Sequence, residues 1–170
     1  MASKITASTL KVTIQEDIKL NGVQQGGVNT FNISSVNEIY KRIVTCPASV
    51  NTAIATFKST TSVTGSAGTT ARATSLDMED VKYIRVTNLD DSNSVNLSLQ
   101  VDAGENDTAA DESATLLLEA EKSFMMGSPS DGIDVDDTNA GILTTLEDLE
   151  SIFINPGGNA VDIEIFVASV

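Results

Sequence analysis

The stretch Val161-Asp-Ile163-Glu-Ile165-Phe-Val167-Ala-Ser-Val170 decides the fold. Its apolar residues recur at every second position, the period of a strand that buries one face and wets the other. Such a regular segment is expected to be tied into a sheet. Immediately before it, Asn155-Pro-Gly-Gly-Asn159 reads as a five-residue turn, and Ile152-Phe-Ile154 as the strand that enters that turn.

Further back, Val95-Asn-Leu97-Ser-Leu99-Gln-Val101 alternates without a fault, so Asn96, Ser98 and Gln100 should form a wet face. Val81-Lys-Tyr83-Ile-Arg-Val86-Thr87 reads as a strand too, and the turn formers Asn88 to Asn93 between the two predict an antiparallel hairpin. Near the N-terminus, Leu10-Lys-Val12-Thr-Ile14 and Ile18-Lys-Leu20 repeat the alternation. Asn21-Gly22 then supplies the positive φ angles of a tight turn, and Val28 to Ile33 continues what reads as a β-meander. Glu38 to Cys46 is β-branched and stops at Pro47, which cannot donate to a sheet ladder. Thr52 to Lys58, Thr115 to Ala120 and Lys122 to Gly127 complete a set of roughly nine or ten short strands, the pattern of a sandwich or barrel.

The expected fold is therefore all-β: one domain over residues 1–170, an antiparallel β-sandwich or jelly-roll-like barrel with one or two short helical turns. Leu76 to Asp80 reads as a helical turn or tight corner. Thr144-Thr-Leu-Glu147 fits a capping box that opens a short helix or a corner between strands. Residues 1–9 are expected to form an N-terminal arm, and the Ser/Thr/Gly/Ala-rich residues 59–75 a long exposed loop or hairpin arm. Ala103 to Ser113 and Ser128 to Gly141 read as acidic loops.

Composition narrows the function. Aromatics are only 4% of the chain against 41% apolar residues, so aliphatic side chains fill the core, which favours packed sheet layers over a deep pocket. Cys46 is the only cysteine, so no intrachain disulfide forms. No apolar signal-peptide core follows Met1, and the longest aliphatic run is Leu116 to Leu118, so synthesis in a cytoplasm and no membrane insertion are expected. The net charge of −14 opposes a nucleic-acid partner. That charge is uneven: residues 1–85 carry +3 and residues 86–170 carry −17. The acids either fill solvent-facing positions throughout, or give the chain an acidic half facing water and a less charged half that docks on a partner.

The chain contains no histidine, which excludes histidine-dependent triads and Cys-His dyads and removes the usual zinc ligand. Cys46 has Lys41 and Arg42 nearby but no base, and reads as a buried structural thiol. Carboxylates abound without one pair standing apart, and the aromatic platforms of sugar-cleaving sites are missing, so no enzyme activity is expected. Asp131, Asp134, Asp136 and Asp137 are the metal candidates, as clustered oxygens for a calcium ion. Started at Asp134, however, the EF-hand register puts Asn139 where Gly is required and Thr145 where Glu is required. Gly65-Ser-Ala-Gly68 lacks the lysine of a phosphate loop, and no cofactor is expected.

Three stretches carry a resemblance: Lys11-Val-Thr-Ile-Gln-Glu-Asp-Ile-Lys-Leu-Asn-Gly22, Tyr83-Ile-Arg-Val-Thr-Asn-Leu-Asp-Asp91 and Asn155-Pro-Gly-Gly-Asn-Ala-Val-Asp-Ile-Glu-Ile-Phe-Val167. In these the chain resembles small structural proteins of tailed bacteriophages, particularly those of aquatic and cyanobacterial phages. The resemblance implies a β-sandwich virion component on the capsid exterior. The best-fitting role is a head decoration or cement protein that clamps major capsid protein subunits and contacts copies of itself. Residues Ala2 to Ile14 and Ser59 to Thr74 would then make the contacts by edge-strand pairing, with the acidic loops Asp102 to Glu112 and Asp131 to Asp137 outward. The alternatives are a phage tail or fibre component, and a calcium-dependent carbohydrate-binding adhesin module.

Overall fold

In a computed structural model, the described residues are 6–58, 63–64, 70–71, 76–77, 80–101, 112–127, 133–135, 142 and 146–170. The strands in chain order are β1 (Ser8–Gln15), β2 (Lys19–Leu20), β3 (Val23–Gln24), β4 (Val28–Val36), β5 (Glu38–Cys46) and β6 (Thr52–Lys58). The two-residue β7 (Val63–Thr64), β8 (Thr70–Ala71) and β9 (Leu76–Asp77) follow. The rest are β10 (Val81–Asn88), β11 (Val95–Val101), β12 (Glu112–Leu118), β13 (Ser123–Gly127), β14 (Asp134–Val135), β15 (Glu147–Asn155) and β16 (Val161–Ser169).

Two sheets face each other. One has the order β13-β10-β16-β5, and the other β12-β11-β15-β6-β9 with β14 against β15; β6 and β9 pair in parallel. The apolar rows of both meet in one core, where Ile84, Val86, Ile163 and Ile165 of the first sheet oppose Leu97, Ile152, Ile154 and Phe57 of the second. The protein is a β-sandwich. Ile163 and Ile165 lie in β16, which β10 and β5 flank on both sides, so the most regular alternation in the sequence occupies an interior position.

β1 and β4 form a separate two-stranded ribbon, with Leu10 opposite Ile33 and Val12 opposite Phe31. The expected meander is one long hairpin whose tip carries the smaller β2–β3 hairpin. Asn21 and Gly22 both take positive φ there, at 51° and 80°, as the Asn-Gly pair predicts. At the other end of the tip, a Cβ on Gly26 would collide with the Glu16 carbonyl. Ser8 and Thr9, expected in an arm, are the first residues of β1; residues 1–5 lie outside the described ones. Of residues 59–75, the described parts are β7 and β8, which pair antiparallel.

Two expectations are corrected. β10 and β11 do not form a hairpin: β10 pairs with β13 and β16, β11 with β12 and β15, and the chain between them arches from one sheet to the other. Alternation determines which side chains point inward but not which sheet a strand joins. The arch is held by the buried Asn88, whose Nδ2 donates to the Asn93 carbonyl (2.8 Å) and the Leu118 carbonyl (3.3 Å), while its Oδ1 accepts from Asp90 N (3.0 Å). Asp90 closes it by accepting from the backbone of Ser92 and Asn93, and these bonds, led by Asn93, hold its carboxyl below the usual carboxylate range.

Neither segment read as a helical turn or corner is helical where it is described, and no helix occurs among the described residues; residues 78–79 and 143–145 lie outside them. Leu76–Asp77 pairs with the end of β6 and buries Leu76, and Glu147–Glu150 opens β15. A helix cap contributes about 1 kcal/mol, whereas burying Leu149 and Ile152 contributes roughly 2 kcal/mol each. From Glu147 onward the sheet therefore wins. Finally, the two halves of the sequence are interleaved in one sheet, β5 from the first half pairing along its whole length with β16 from the second, while Asp102, Glu105, Asp107, Asp111, Asp131, Asp136 and Asp137 of the acidic half lie outside the described residues.

Candidate functional site

The outward face of the β13-β10-β16-β5 sheet is only partly open to solvent. The base of the ribbon lies over it, where Ile33, Val36, Tyr83 and Ala168 form a second buried cluster with Leu10, Val12, Phe31 and Phe166 around it. Aromatic edges organise this contact: Phe31 and Tyr83 stand 6.4 Å apart and Tyr83 and Phe166 6.0 Å apart, both tilted. Gly127 allows Phe31 to approach, since a Cβ there would meet its ring at 3.3 Å. Burial pushes the Tyr83 hydroxyl above its ordinary pKa, with Arg85 opposing.

Beside the buried base, ribbon and sheet part to leave a cleft of about 550 Å3. Leu10 to Ile14 of β1 form one wall, and Lys41, Tyr83, Arg85, Met125 and Phe166 of the sheet form the other. Lys41 Nζ lies 3.1 Å from Glu164 Oε2, Arg85 donates to Glu164 Oε1, and the Arg85 guanidinium sits 5.8 Å from the Phe166 ring centre. The hydrogen bond from Lys41 is the main reason the Glu164 carboxyl titrates below the usual carboxylate range; Arg85 adds to it and partial burial opposes it. Because the folded-state pKa is the lower one, this contribution to stability is complete above the unfolded-state value and is lost as pH falls through the folded-state value. The wild-type chain should lose more unfolding free energy between pH 7 and pH 3 than Glu164→Gln does, as read by urea denaturation at each pH.

The ribbon beyond this contact is exposed. Ile18, Leu20 and Val23 at the tip are 56%, 62% and 59% accessible, and Val28 at the start of β4 is exposed as well. On the uncovered half of the sheet face, Ile39, Ile43 and Met125 are exposed beside two polar pairs, Thr45 with Asp162 and Thr87 with Ser123.

The residues singled out in the sequence lie elsewhere. Asp134 opens β14, its backbone opposite Asp148, while Asp131, Asp136 and Asp137 lie outside the described residues. Among the described residues no group of three or more His, Cys, Asp or Glu side chains is placed to hold a metal ion. Nor is any helix there long and apolar enough to cross a membrane. Cys46 is fully buried at the end of β5, and burial, reinforced by Asp162 against a bond from Thr52, pushes its thiol up. A thiol reagent at pH 8 should therefore modify Cys46 only after unfolding; rapid labelling of the native chain would contradict this placement.

The cleft was not legible in the sequence because Arg85 and Glu164 stand 79 residues apart, and each reads alone as an outward residue of its strand. Comparisons with protein-family models, with curated proteins and with solved structures return no match.

Proposed function

We propose that this chain is a virion structural protein: a capsid decoration or cement protein of a tailed phage, binding major capsid protein subunits on the capsid exterior and contacting copies of itself. The observation that carries the reading is the β1–β4 ribbon, whose tip presents Ile18, Leu20 and Val23 to solvent on a sandwich that does not need them for its own core. Apolar side chains gathered at the end of a protruding hairpin mark a surface that gains by being covered. The phage resemblance of Lys11 to Gly22, which spans most of β1 and the tip turn, supports the same reading.

The test is co-sedimentation of the purified chain with capsids lacking it, and its localisation in an electron-microscopy map of the decorated particle. Each tip residue covered at an interface is worth roughly 1.5–3 kcal/mol. The double variant Leu20→Ser/Val23→Ser should thus weaken capsid binding by about a hundredfold or more while leaving the unfolding midpoint nearly unchanged. Recovery only in tail fractions would move the assignment to a tail component. Binding unaffected by the tip variant would remove the ribbon from the interface.

A further inference from the structure

We propose that the cleft between β1 and the outer sheet face is a docking groove for an extended acidic peptide segment of a partner protein, which pairs with the outer edge of β1. Three observations lead there. First, among the described residues β1 pairs with β4 alone, so its other edge presents backbone donors and acceptors with no ladder partner. Second, the cleft runs along that edge. Leu10, Val12 and Ile14 share the ribbon face that packs on the sheet, Lys11 and Thr13 the opposite face, and all five line it. A cavity touching both sets lies beside the strand. Five residues of strand correspond to about 16 Å, room for a short extended segment.

Third, the lining carries three cations, Lys11, Lys41 and Arg85, and no carboxylate, in a chain whose net charge is −14. Glu164 answers part of that charge from beneath, and Arg85 Nε is buried without an acceptor. A strand laid into the groove would continue the ribbon as a third strand. Its sheet-facing carboxylates would meet Lys41 and Arg85, and the methylene stems of those same side chains would lie against Tyr83, Phe166 and Met125. Backbone pairing would supply affinity, and the cations would set the preference for acidic sequences.

This inference goes beyond the decoration reading and does not need it, since the groove can be tested on the isolated full chain. The probe is a capped peptide of about eight residues alternating Glu and Val, followed by calorimetry or fluorescence anisotropy. Saturable binding is expected that weakens at least tenfold when Lys replaces Glu in the peptide, and again when alternate peptide nitrogens are methylated to block the ladder. The exposed-side-chain variant Lys11→Gln/Lys41→Gln, which leaves Glu164 its bond to Arg85, should weaken binding similarly, with its unfolding midpoint lowered only by the loss of the Lys41–Glu164 bond. Three outcomes overturn the proposal: no binding, equal binding of the lysine peptide, or equal binding of the methylated peptide. Concentration-dependent self-association that Lys11→Gln/Lys41→Gln abolishes would put a second copy of the chain in the groove and overturn it too. Peptide binding together with failure to bind capsids would overturn the decoration reading alone.

Discussion

Ile163→Ala should lower the unfolding free energy by about 3 kcal/mol, within the range for removing a large aliphatic side chain from a close-packed interior. Ile163 is completely buried in β16, between Val44 of β5 on one side and Asn88 of β10 on the other. The cavity would open in the core between the two sheets, on a strand flanked on both sides, where the neighbours cannot collapse without breaking their ladders. Since domains of this size are stable by roughly 5–15 kcal/mol, the variant should fold but reach its urea midpoint much earlier with an unchanged slope. Leu117→Ala is the control. Leu117 is equally aliphatic but 60% exposed on β12, and its loss should cost under about 0.5 kcal/mol. Equal effects from the two substitutions would mean that the core is not where the two sheets place it.

Asn88→Leu should cost a comparable amount, about 3 kcal/mol, although the replacement is nearly isosteric and more apolar. The loss comes from what Asn88 leaves behind: the carbonyls of Asn93 and Leu118 lose a donor and the amide of Asp90 loses an acceptor at the point where the chain crosses between sheets. Each buried polar group left without a partner costs roughly 1–3 kcal/mol, more than a leucine side chain gains by burial there. Asn88→Asp separates geometry from hydrogen-bonding capacity. It keeps the acceptor for Asp90 but cannot donate to the two carbonyls, and should destabilise about as much as Leu at pH 7. A stable Asn88→Leu variant would show that the arch is held by the packing of β10 and β11 and not by this side chain.

These two positions also separate what was legible from what was not. Ile163 could be picked from the sequence because alternation over Val161 to Val167 marks its row as the buried one. Asn88 could not, because an Asn within a run of turn formers reads as an exposed turn residue. The error followed directly: a run such as Asn88-Leu-Asp-Asp-Ser-Asn93 supports a tight hairpin and an arch between sheets equally well by composition. The same ambiguity recurs where β5 passes to β6, β12 to β13 and β15 to β16, each of which changes sheet. Glu147 reads equally as the last residue of a capping box and as part of a corner between strands; that it opens β15 follows from the burial of Leu149 and Ile152 in the sheet, which outweighs a local cap worth about 1 kcal/mol.

The groove sets the limit most clearly. Lys41, Arg85 and Glu164 belong to three different strands, and only the antiparallel registers of β5 and β10 on β16 bring them onto one face. Absent histidine and a lone cysteine could be read from composition, because such exclusions need no coordinates.

By itself, the sequence determined the all-β class, the extent of most strands, the inward row of each and the Asn21-Gly22 turn. All of these depend on periodicity two and on φ preferences, which are properties of a residue and its neighbours. Only the tertiary structure decided which sheet each strand joined, that β1 and β4 stand apart as a ribbon over one face, and that three cations line the cleft beside β1. Those depend on pairings between residues far apart in the chain, chosen by the burial of whole apolar faces, and no local pattern encodes the partner.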